Sequence, residues 1–517
     1  MYFLSNNYYA IIDMGSNSFR LVINQIDQNG RYKELHNYKT VARLSTFITE
    51  KGDLSGEGIN ITIDTLERFK DIITYHQVKK VVVIATAAMR KASNRDKVVR
   101  KIKDKFGMNI RILSEYEEAY YGYLAVVNST TFKNGFTVDI GGGSTEITLF
   151  KDRELKHYHS FPFGAITLYQ TFFQNGRTNE SITSLKQFIK VQLDTLPWLK
   201  EKETLPVIGI GGSARNLSLI HQYQTEYPLA GIHQYEIPQQ ELIEINQMLQ
   251  QSTLEERMHL EGLSKDRVEI IIPAVEVIKS LTDYVQSESF IMSSKGLRDG
   301  IFYEQLLKSM EADRFPNVVE ESFYQITEKY QINQENVTHI STLAKQLHQE
   351  LAPFSEVDFD NDYAIMLLAQ SAKVLYIGES INNEASSQNT FYLLTNMTIE
   401  GLSHKERLAV ALISSFKSKS KMLQYAKPYN KLLEKNDLKL YEYLGSIMKI
   451  AYSLDRTRRR AIARIGPVKQ KDQNLLIPLF YQEDPFFENI QISKHKKHIE
   501  KILKHTVDLQ YLPVNEF

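Results

Sequence analysis

The sequence predicts an α/β fold of two tandem units, followed by a mainly helical segment and a small mixed C-terminal segment. Up to about residue 305, short apolar strand-like runs alternate with segments of helical periodicity, which is typical of α/β units. One short polar turn occurs twice in this part, in YAIIDMGSNSFRLVI (9–23) and in FTVDIGGGSTEITLF (136–150). After about Phe315 the strand signals fade and helical periodicity dominates.

The first unit, residues 1–125, begins with the strand-like runs YAIID and RLVINQI and continues with VVVIATA and IRILS. Apolar spacing of three and four predicts helices over Ile63–His76, over Arg95–Phe106 and from about Glu115. The second unit, residues 126–310, repeats the pattern. Its predicted strands are FTVDI, ITLF, HYHSFPF and PVIGIGG, and its predicted helices include Ser181–Leu193 and DRVEIIIPAVEVIKSLTDYV.

Residues 311–454 carry helical periodicity in THISTLAKQLHQELAPF, DYAIMLLAQSAKVLYIG and KERLAVALISSF. Residues 455–517 mix basic runs (DRTRRR and SKHKKHIEKILKH) with short apolar ones such as LLIPLFY. We therefore expect a helical domain followed by a small basic α+β domain.

The composition excludes several kinds of chemistry. The chain contains no cysteine, so disulfides, thiolate metal sites and cysteine nucleophiles are excluded. No apolar run approaches the ~18 residues of a membrane span, and the first residues lack the pattern of a signal peptide, so we expect a cytoplasmic protein. Net charge is zero, but residues 404–517 hold 22 Lys and Arg against 12 Asp and Glu. Such a segment suits an anionic partner.

The two repeated turns predict a phosphate site. In each, an aspartate (Asp13 or Asp139) ends an apolar run and is followed by Gly, Ser and Asn or Thr, whose N–H and O–H groups form anion-binding nests. A carboxylate favours phosphate only with a cation between them, and Mg²⁺ takes oxygen ligands in this way. Either turn alone could be an ordinary hairpin. Two copies indicate two lobes that grip one phosphate group across a cleft.

A third glycine run, VIGIGGSARNL (207–217), predicts a strand, a turn and the start of a helix. Its spacing loosely matches a dinucleotide-binding pattern, but it lies inside the second unit rather than at the opening of a Rossmann unit. A helix N-terminus behind a glycine turn still suits phosphate. No Gly-Lys-Ser/Thr follows any of these turns, so a P-loop ATPase is excluded.

Six motifs follow one another in a distinctive order: DMGSNSFRLVI, ATAAMR (85–90), SEYEEAYYGYLAV (114–126), DIGGGSTEI, GIGGSARNL and GLRDGI (296–301). Together they resemble the exopolyphosphatase and guanosine pentaphosphate phosphatase family. That resemblance implies the actin-like (ribonuclease H-like) fold of two lobes around a central cleft. It also implies Mg²⁺-dependent or Mn²⁺-dependent hydrolysis of a terminal phosphoanhydride, with release of orthophosphate.

The resemblance also assigns the catalytic and metal-binding residues. Glu117 falls on the catalytic base that activates water, and Glu118, on the same helical turn but about 100° away, is its rival. Asp13, Asp139 and Glu146 match the acids associated with the metal. Further positions match phosphate contacts, namely Ser16, Asn17, Ser18, Arg90, Gly141, Gly142, Gly143, Ser144, Thr145, Gly212, Ser213 and Arg267.

The two turns are not equivalent. Glu146 follows Asp139 by seven residues, whereas Arg20 stands at the equivalent place after Asp13. We expect the metal to lean toward Asp139 and Glu146, and the first turn chiefly to hold phosphate.

The long form of the family carries a helical domain similar to HD phosphohydrolases, and residues 311–454 resemble it. His339 and Asp455 match the first His and the last Asp of that metal site. Leu375 and Tyr376 stand where its His-Asp pair is required, and a later His is missing as well. We therefore predict that this domain binds no catalytic metal and serves in packing, dimerisation and anion guidance.

The basic C-terminal segment predicts a path for a polyanion. Polyphosphate is bound through charge and counterion release, for which a row of Lys and Arg suffices. A solvated basic face is the alternative interpretation, and nucleic acid is a weaker one because aromatic stacking platforms are not evident. The predicted path comprises Arg456, Arg458, Arg459, Arg460, Lys494, Lys496 and Lys497.

The leading interpretation is an exopolyphosphatase acting on inorganic polyphosphate. A guanosine pentaphosphate 5′-phosphohydrolase is the nearest alternative, because the motifs are shared and only the basic segment favours polyphosphate. An ATPase or kinase of the same fold lacks a recognisable acceptor motif, and an inactive sensor would not need the intact acids. The family leads us to expect a homodimer, and neither a membrane nor nucleic acid is expected as a partner.

Overall fold

The computed structural model describes residues 7–27, 29–200, 204–308 and 310–514. The chain forms two compact units. The first holds the residues up to Val318 except Pro228–Gly231, and the second holds Pro228–Gly231 together with the residues from Val319 onward. The predicted α/β fold, followed by a helical region and a small C-terminal sheet, is confirmed. None of the helices in the described ranges is long and apolar enough to cross a membrane.

The first lobe of the first unit is a five-stranded sheet with four helices. Its strands are β1 (Asn7–Met14), β2 (Ser18–Ile26), β3 (Tyr32–Val41), β4 (Lys80–Ala85) and β5 (Ile110–Ile112). Its helices are α1 (Gly56–Tyr75), α2 (Ala87–Lys91), α3 (Arg95–Phe106) and α4 (Glu115–Val127). The strand order is β3-β2-β1-β4-β5, with β1 to β3 antiparallel and β4 and β5 parallel to β1. The apolar run that forms β1 is buried on both faces, as expected of a central strand.

The second lobe repeats this topology. Its strands are β6 (Gly135–Ile140), β7 (Thr145–Lys151), β8 (Glu154–Phe161), β9 (Val207–Ile210), β10 (Tyr235–Pro238) and β11 (Ser289–Met292). The strand order is β10-β11-β9-β6-β7-β8, so β8-β7-β6-β9-β11 matches the first sheet strand for strand, and β10 is an antiparallel addition at the edge. Its helices are α5 (Ala165–Phe172), α6 (Asn179–Asp194), α7 (Gly211–Gln224), α8 (Gln239–Gln251), α9 (Leu254–Met258), α10 (Ile271–Tyr284) and α11 (Leu297–Lys308).

A hydrophobic core joins the two lobes. Helices α4 and α11 pack against each other, and this core includes Ile11 and Ile84 from the first sheet with Ile208 and Ile291 from the second. Because close-packed apolar side chains resist displacement, this core fixes the two sheets relative to each other. The polar turns at the ends of β1 and β6 are positioned by it.

The second unit is helical and carries a four-stranded sheet. Its helices are α12 (Val318–Lys329), α13 (Gln334–Leu351), α14 (Asn361–Lys373), α15 (Ser386–Asn396), α16 (His404–Ser414), α17 (Lys419–Ala426), α18 (Lys435–Leu454), α19 (Phe486–His495) and α20 (Lys497–Leu503). Its strands are β12 (Ile462–Ile465), β13 (Lys469–Lys471), β14 (Asn474–Tyr481) and β15 (Thr506–Pro513). A single hydrophobic cluster includes Leu343 and Leu444 of the helices and Ile477 and Val507 of the sheet, so both parts share one core.

Candidate active site

The two turns predicted from the sequence adopt the same local geometry. In the first, which joins β1 to β2, the N–H of Gly15 donates to the carbonyl oxygen of Ser18 at 3.1 Å. In the second, which joins β6 to β7, the N–H of Gly141 donates to the carbonyl oxygen of Ser144 at 3.0 Å. Each turn is therefore closed by one backbone hydrogen bond of the same kind.

The turns also face each other. A Cβ placed on Gly142 of the second turn would lie 3.8 Å from the Cβ of Ser16 in the first. Lys91, at the end of α2 in the first lobe, donates to the carbonyl oxygen of Gly143 at 3.3 Å. The two turns that the sequence predicts to hold one phosphate between them therefore lie close together, and the phosphate site itself stays a prediction.

The residue pairs behind the turns differ between the lobes. Asp139 and Glu146 are directly opposite each other on the antiparallel strands β6 and β7. At the equivalent position of the first lobe, Asp13 is opposite Arg20 on β1 and β2. The second lobe thus places two acids side by side where the first places an acid and a base.

Glu118 brings a further acid to this place from α4. Its side chain is 11% exposed and forms an ion pair with Arg90. Burial raises the pKa of Glu118 to about 7; the charge of Arg90 lowers it, and those of Asp13 and Asp139 raise it further. We call Asp13, Glu118, Asp139 and Glu146 the carboxylate cluster, because each acid acts electrostatically on another member or is acted on by one.

Glu146 is the most strongly perturbed member of the carboxylate cluster. Burial raises its pKa to about 8, and the charges of Glu118 and Asp139 add to the rise. Hydrogen bonds from Ser144 and Ser160 oppose it, the latter at 2.8 Å between the Ser160 hydroxyl and Glu146 Oε1. Carboxylates crowded in this way need a counter-charge in order to ionise together.

Two arginines supply part of that counter-charge. Arg298 Nη1 donates to Asp13 Oδ2 at 2.8 Å, and Arg267 Nη1 donates to the hydroxyl of Ser213 at 2.9 Å. Burial raises the pKa of Asp139 to about 6, while the charges of Arg267 and Arg298 lower it and that of Asp13 raises it. Asp13 and Asp139 therefore each have an arginine nearby.

Two further arginines extend the positive charge beyond Arg298. Burial lowers the pKa of Arg20 and of Arg215, and the charge of Arg298 lowers both further. Arg20 donates to Asn37 Oδ1 at 2.9 Å, whereas the guanidinium of Arg215 has no hydrogen bond or ion pair within the described residues. Guanidinium groups that repel one another form a site for an anion, and their planar forks suit phosphate oxygens.

Glu117, which the resemblance assigns as the catalytic base, does not lie among these residues. Its carboxylate accepts hydrogen bonds from the N–H and hydroxyl of Ser114, at 2.7 and 2.9 Å, in a capping box at the start of α4. Arg111 pairs with the same carboxylate. Its pKa is lowered: these hydrogen bonds and Arg111 outweigh the opposing effect of burial. The capping box thus turns Glu117 away, and the next residue along the helix, Glu118, reaches the turns.

The turn residues predicted to contact phosphate differ in whether their side chains are already hydrogen-bonded within the protein. Ser16 accepts a hydrogen bond from the N–H of Ala88 at 3.1 Å and keeps its own O–H for donation. The buried hydroxyl of Thr145 instead donates to the carbonyl oxygen of Phe163 at 2.8 Å, so its hydrogen is not available to a phosphate. Asn17, Ser18 and the residues from Gly141 to Ser144 remain candidates for phosphate contact.

The third glycine run opens helix α7 and places an arginine. Gly211 has a φ of +81°, and a Cβ there would lie 2.4 Å from Asp139 Oδ1. A Cβ on Gly212 would lie 2.1 Å from Arg267 Nη2. Both glycines are therefore required by the close approach of a charged side chain, and Ser213 holds the same Arg267.

The donor set around the turns fits a hard divalent cation. Asp13 Oδ1 is buried without a hydrogen-bond partner, and Asp139 and Glu146 are adjacent acids with raised pKa values. In the part of the chain that the structure describes, no three His, Asp or Glu side chains converge closely enough to hold an ion alone. Mg²⁺ is commonly held by one or two carboxylates, with water and substrate phosphate as further ligands.

Comparison with known proteins identifies the family. The profile of the Ppx/GppA phosphatase family matches residues 22–309, and that of Ppx/GppA phosphatase, domain III, matches residues 318–506. The chain belongs to the Ppx/GppA phosphatase family. It is therefore an enzyme of phosphoanhydride hydrolysis, and the resemblance inferred from the six motifs is confirmed.

Relatives of this Ppx/GppA phosphatase carry more than one name. A guanosine-5′-triphosphate,3′-diphosphate pyrophosphatase of Vibrio parahaemolyticus is 24% identical over 79% of this chain and 80% of its own length. The structure of an Aquifex aeolicus Ppx/GppA family member has a TM-score of 0.53 and 26% identity, covering 59% of this chain and 99% of its own. An exopolyphosphatase structure from Cytophaga hutchinsonii has a TM-score of 0.55 and 23% identity, over 58% of this chain and 98% of its own. The last of these shows the fold alone.

In the helical part of this Ppx/GppA phosphatase, two residues that the sequence matched to an HD-like metal site lie near each other. His339 and Asp455 interact electrostatically, while Tyr376, at one position of the missing His-Asp pair, donates to the carbonyl oxygen of Phe416 at 2.6 Å. His339 Nε2 and Asp455 Oδ2 are buried without a hydrogen-bond partner. The absence of a catalytic metal here stays a prediction, as does dimerisation.

The predicted polyphosphate path contains cations of two kinds. Arg459, Arg460 and Lys496 are paired, with Glu483 at 3.1 Å, Glu335 at 2.5 Å and Glu500 at 3.2 Å respectively. Arg456 stacks over the ring of Tyr452, and Arg458 is exposed. Lys494 and Lys497 form no ion pair within the described residues. The path as a whole stays a prediction. Of its cations without an ion pair in the described part of the chain, Arg456 and Arg458 follow α18, Lys494 lies on α19 and Lys497 on α20.

Sequence reasoning missed three of the arginines as site residues. Arg298 belongs to GLRDGI and Arg215 to GIGGSARNL, so both stood inside motifs that were recognised for other reasons. Arg20 was noted only as the counterpart of Glu146. All three arginines stand in the sequence close to a glycine or an acid that was predicted to bind phosphate or metal, and this closeness could have identified them.

Proposed function

We propose that this enzyme is an exopolyphosphatase that hydrolyses the terminal phosphoanhydride of inorganic polyphosphate, with Glu118 as general base. The observation that carries the proposal is the position of Glu118, a buried acid paired with Arg90 and within electrostatic reach of Asp13 and Asp139. Its pKa, raised by burial to about 7, suits a base that works near neutral pH.

In the proposed reaction, Glu118 accepts a proton from water while the water oxygen forms a bond to the terminal phosphorus. The bond from that phosphorus to the bridging oxygen breaks, and orthophosphate leaves together with a chain one unit shorter. Arg90, through its ion pair, orients the Glu118 carboxylate. Phosphoryl transfer depends on positioning the reactants and compensating charge rather than on covalent catalysis, and we assign both tasks to the residues around the turns.

Asp139 and Glu146 would hold the divalent ion, with Asp13 on the opposite turn. Bound there, Mg²⁺ or Mn²⁺ would offset charge on the oxygens of the transferred phosphoryl group. The ion would also relieve the repulsion that raises the pKa of Glu146. Arg267 acts electrostatically on Asp139 and Arg298 donates to Asp13, and we propose that both arginines contact phosphate oxygens of the bound substrate.

The arginines beyond the turns extend the site along a substrate chain. The charge of Arg298 acts on both Arg20 and Arg215, and the guanidinium of Arg215, within electrostatic reach of Asp299 and Glu34, forms no hydrogen bond or close ion pair within the described residues. We assign to them the second and third phosphates from the end that is cut. This assignment suits polyphosphate and a nucleoside triphosphate equally, because both present a linear chain of phosphates.

Guanosine pentaphosphate is the second candidate substrate. The observation that favours it is the name of the Vibrio parahaemolyticus relative, which is 24% identical over 79% of this chain. The excess of cations in residues 404–517 favours a long polyanion instead. Both substrates would undergo the same chemistry between the same turns.

Phosphate release from long polyphosphate and from guanosine pentaphosphate, measured side by side with Mg²⁺, tests the proposal. The wild type is expected to act on both and to prefer polyphosphate, and Asp139→Asn is expected to lose at least 100-fold in kcat on each. A wild type that releases phosphate only from the nucleotide would replace the first candidate by the second. Release from neither would overturn the proposed function.

A further inference from the structure

One ion pair joins the two lobes of the first unit close to the turns. Lys39, on the edge strand β3 of the first lobe, donates through Nζ to Asp266 Oδ2 at 2.7 Å. The two residues are 227 positions apart in the chain, and Asp266 lies in a short 3₁₀ turn of the second lobe, Lys265–Arg267. Both side chains are accessible, with exposed fractions of 34% for Lys39 and 18% for Asp266. We call this contact the interlobe ion pair.

Lys39 continues a row of charged side chains that begins at the first turn. Asp13 on β1 is directly opposite Arg20 on β2, and Arg20 is directly opposite Lys39 on β3. Side chains at opposite positions of neighbouring strands lie on the same face of a sheet, and such strands are about 4.8 Å apart. A phosphate chain that leaves the turns along this row would therefore pass Arg20 first and Lys39 next.

Asp266 belongs to a segment that also carries a residue of the site. The next residue, Arg267, donates to the hydroxyl of Ser213 at 2.9 Å. Burial tends to raise the pKa of Asp266, but hydrogen bonds from Lys39 and Ser264 outweigh this effect, so the pKa is lowered. The carboxylate is therefore charged at neutral pH, and it competes with any incoming anion for the ammonium group of Lys39.

A phosphate chain can displace Asp266 from Lys39. An accessible ion pair of this kind changes an equilibrium only a few-fold, whereas a phosphate chain offers many charged oxygens. The charge of a lysine stands on a flexible stem with rotatable donors, so Nζ can reach a new partner without movement of the backbone. The exchange would leave the bond between Arg267 and Ser213 in place.

We propose that Lys39 binds the fourth phosphate of the substrate chain, and that Asp266 holds it across the cleft until the chain arrives. This role rests on the proposed function, in which the turns hold the terminal phosphate and Arg20, Arg215 and Arg298 hold the next two. A nucleoside triphosphate has an uncharged ribose at the fourth position. Lys39 would therefore favour polyphosphate over a nucleotide, and it would take no part in bond cleavage.

Binding to the full-length protein in metal-free buffer with EDTA tests this role without hydrolysis. Calorimetry would compare linear tetraphosphate with tripolyphosphate for the wild type, Lys39→Met, Asp266→Asn and the double variant. Lys39→Met is expected to weaken tetraphosphate binding about tenfold by removing a charged contact, and to change tripolyphosphate binding much less. Asp266→Asn is expected to tighten tetraphosphate binding about threefold, because it releases Lys39.

The double variant separates this exchange from a general effect of charge. Asp266→Asn also removes a negative charge near the site, which alone would tighten binding equally with or without Lys39. If Asp266 acts through Lys39, the double variant should bind tetraphosphate as weakly as Lys39→Met. Equal tightening in both backgrounds, or an equal loss for the two ligands in Lys39→Met, would overturn the proposal.

Lys33→Met is the matched control on the same strand. Lys33 is opposite Gln25 and Lys39 is opposite Arg20, and these partners are an odd number of residues apart on β2. The two lysines therefore face opposite sides of the sheet. Lys33→Met should leave the affinity for tetraphosphate unchanged, and a loss as large as that of Lys39→Met would count against a specific contact.

Steady-state kinetics with tetraphosphate and Mg²⁺ separates this proposal from the proposed function. Lys39→Met should raise KM more than it lowers kcat, and Asp266→Asn should lower KM. An active wild type with the same KM in both variants would overturn the role of Lys39 and leave the proposed function standing. An inactive wild type would overturn the proposed function, while the expected calorimetric pattern would still uphold the contact between Lys39 and the phosphate chain.

Discussion

Replacing Glu146 by glutamine removes one negative charge from the carboxylate cluster with little change of shape. The hydroxyl of Ser160 donates to Glu146 Oε1 at 2.8 Å, and a glutamine oxygen can accept the same bond. The ordinary pKa of this carboxyl is 4.5, and burial with the charges of Glu118 and Asp139 raises it to about 8. Since the folded state holds this proton more tightly than the unfolded state, this group's contribution to stability falls as pH rises from about 4.5 to about 8.

The size of the effect follows from the same values. One pKa unit corresponds to about 1.4 kcal/mol, so at pH 8 the ionisation of Glu146 lowers the free energy of unfolding by on the order of 4 kcal/mol. In metal-free buffer we expect Glu146→Gln to be more stable than the wild type at pH 8, by several degrees in Tm at roughly 2 °C per kcal/mol. The difference should shrink steadily toward pH 5.

Thermal unfolding followed by circular dichroism, with EDTA or with Mg²⁺, measures this prediction. Mg²⁺ should raise the Tm of the wild type most at pH 8 and should do little for Glu146→Gln, because the ion supplies the missing counter-charge. Glu117→Gln is the control, since the pKa of Glu117 is lowered and its removal gives no gain at pH 8. Equal pH dependence for the wild type and Glu146→Gln in EDTA would show that Glu146 is not the buried acid with the raised pKa.

Three further predictions concern the surroundings of the turns. Gly212→Ala should lower kcat at least tenfold while the protein stays folded, because the new Cβ would lie 2.1 Å from Arg267 Nη2 and displace that side chain. Steady-state kinetics with tripolyphosphate measures this effect, and an unchanged kcat would count against a role for Arg267. Arg215→Gln should raise KM several-fold with little change in kcat in the same assay, and a loss confined to kcat would contradict its place beyond the turns. Ser114→Ala should lower the free energy of unfolding by about 1 kcal/mol through loss of the capping box, measured by urea denaturation, and should leave kcat within a few-fold.

The sequence predicted the fold because its signals were local and repeated. Strand-like runs that alternate with helices, glycine-containing turns and apolar residues at helical spacing were enough to predict two α/β lobes and a helical segment. Strand β3 was missed, because residues 32–41 include no buried residue and so carry no apolar alternation. The helix predicted over DRVEIIIPAVEVIKSLTDYV begins only at Ile271, after a short 3₁₀ turn that contains Arg267.

Parts of the site could not be predicted from the sequence, because they depend on where a side chain points and not only on which residue type is present. Glu117 and Glu118 are adjacent acids in one motif, and only the capping box with Ser114 decides which of them turns toward Asp139. The hydroxyl of Thr145 likewise points into the fold. The difference between the turns could be foreseen, because a spacing of seven residues across a tight turn places Glu146 opposite Asp139.

Glu118 is the proposed general base, and comparing Glu118→Gln with Glu117→Gln tests that role most directly. Steady-state phosphate release from long polyphosphate at pH 8 with Mg²⁺ would be measured for both variants and the wild type. We expect Glu118→Gln to lose roughly 100-fold or more in kcat with little change in KM, since it can still position water but cannot accept its proton. Glu117→Gln should stay within a few-fold of the wild type. Full activity in Glu118→Gln, or the larger loss in Glu117→Gln, would contradict the account.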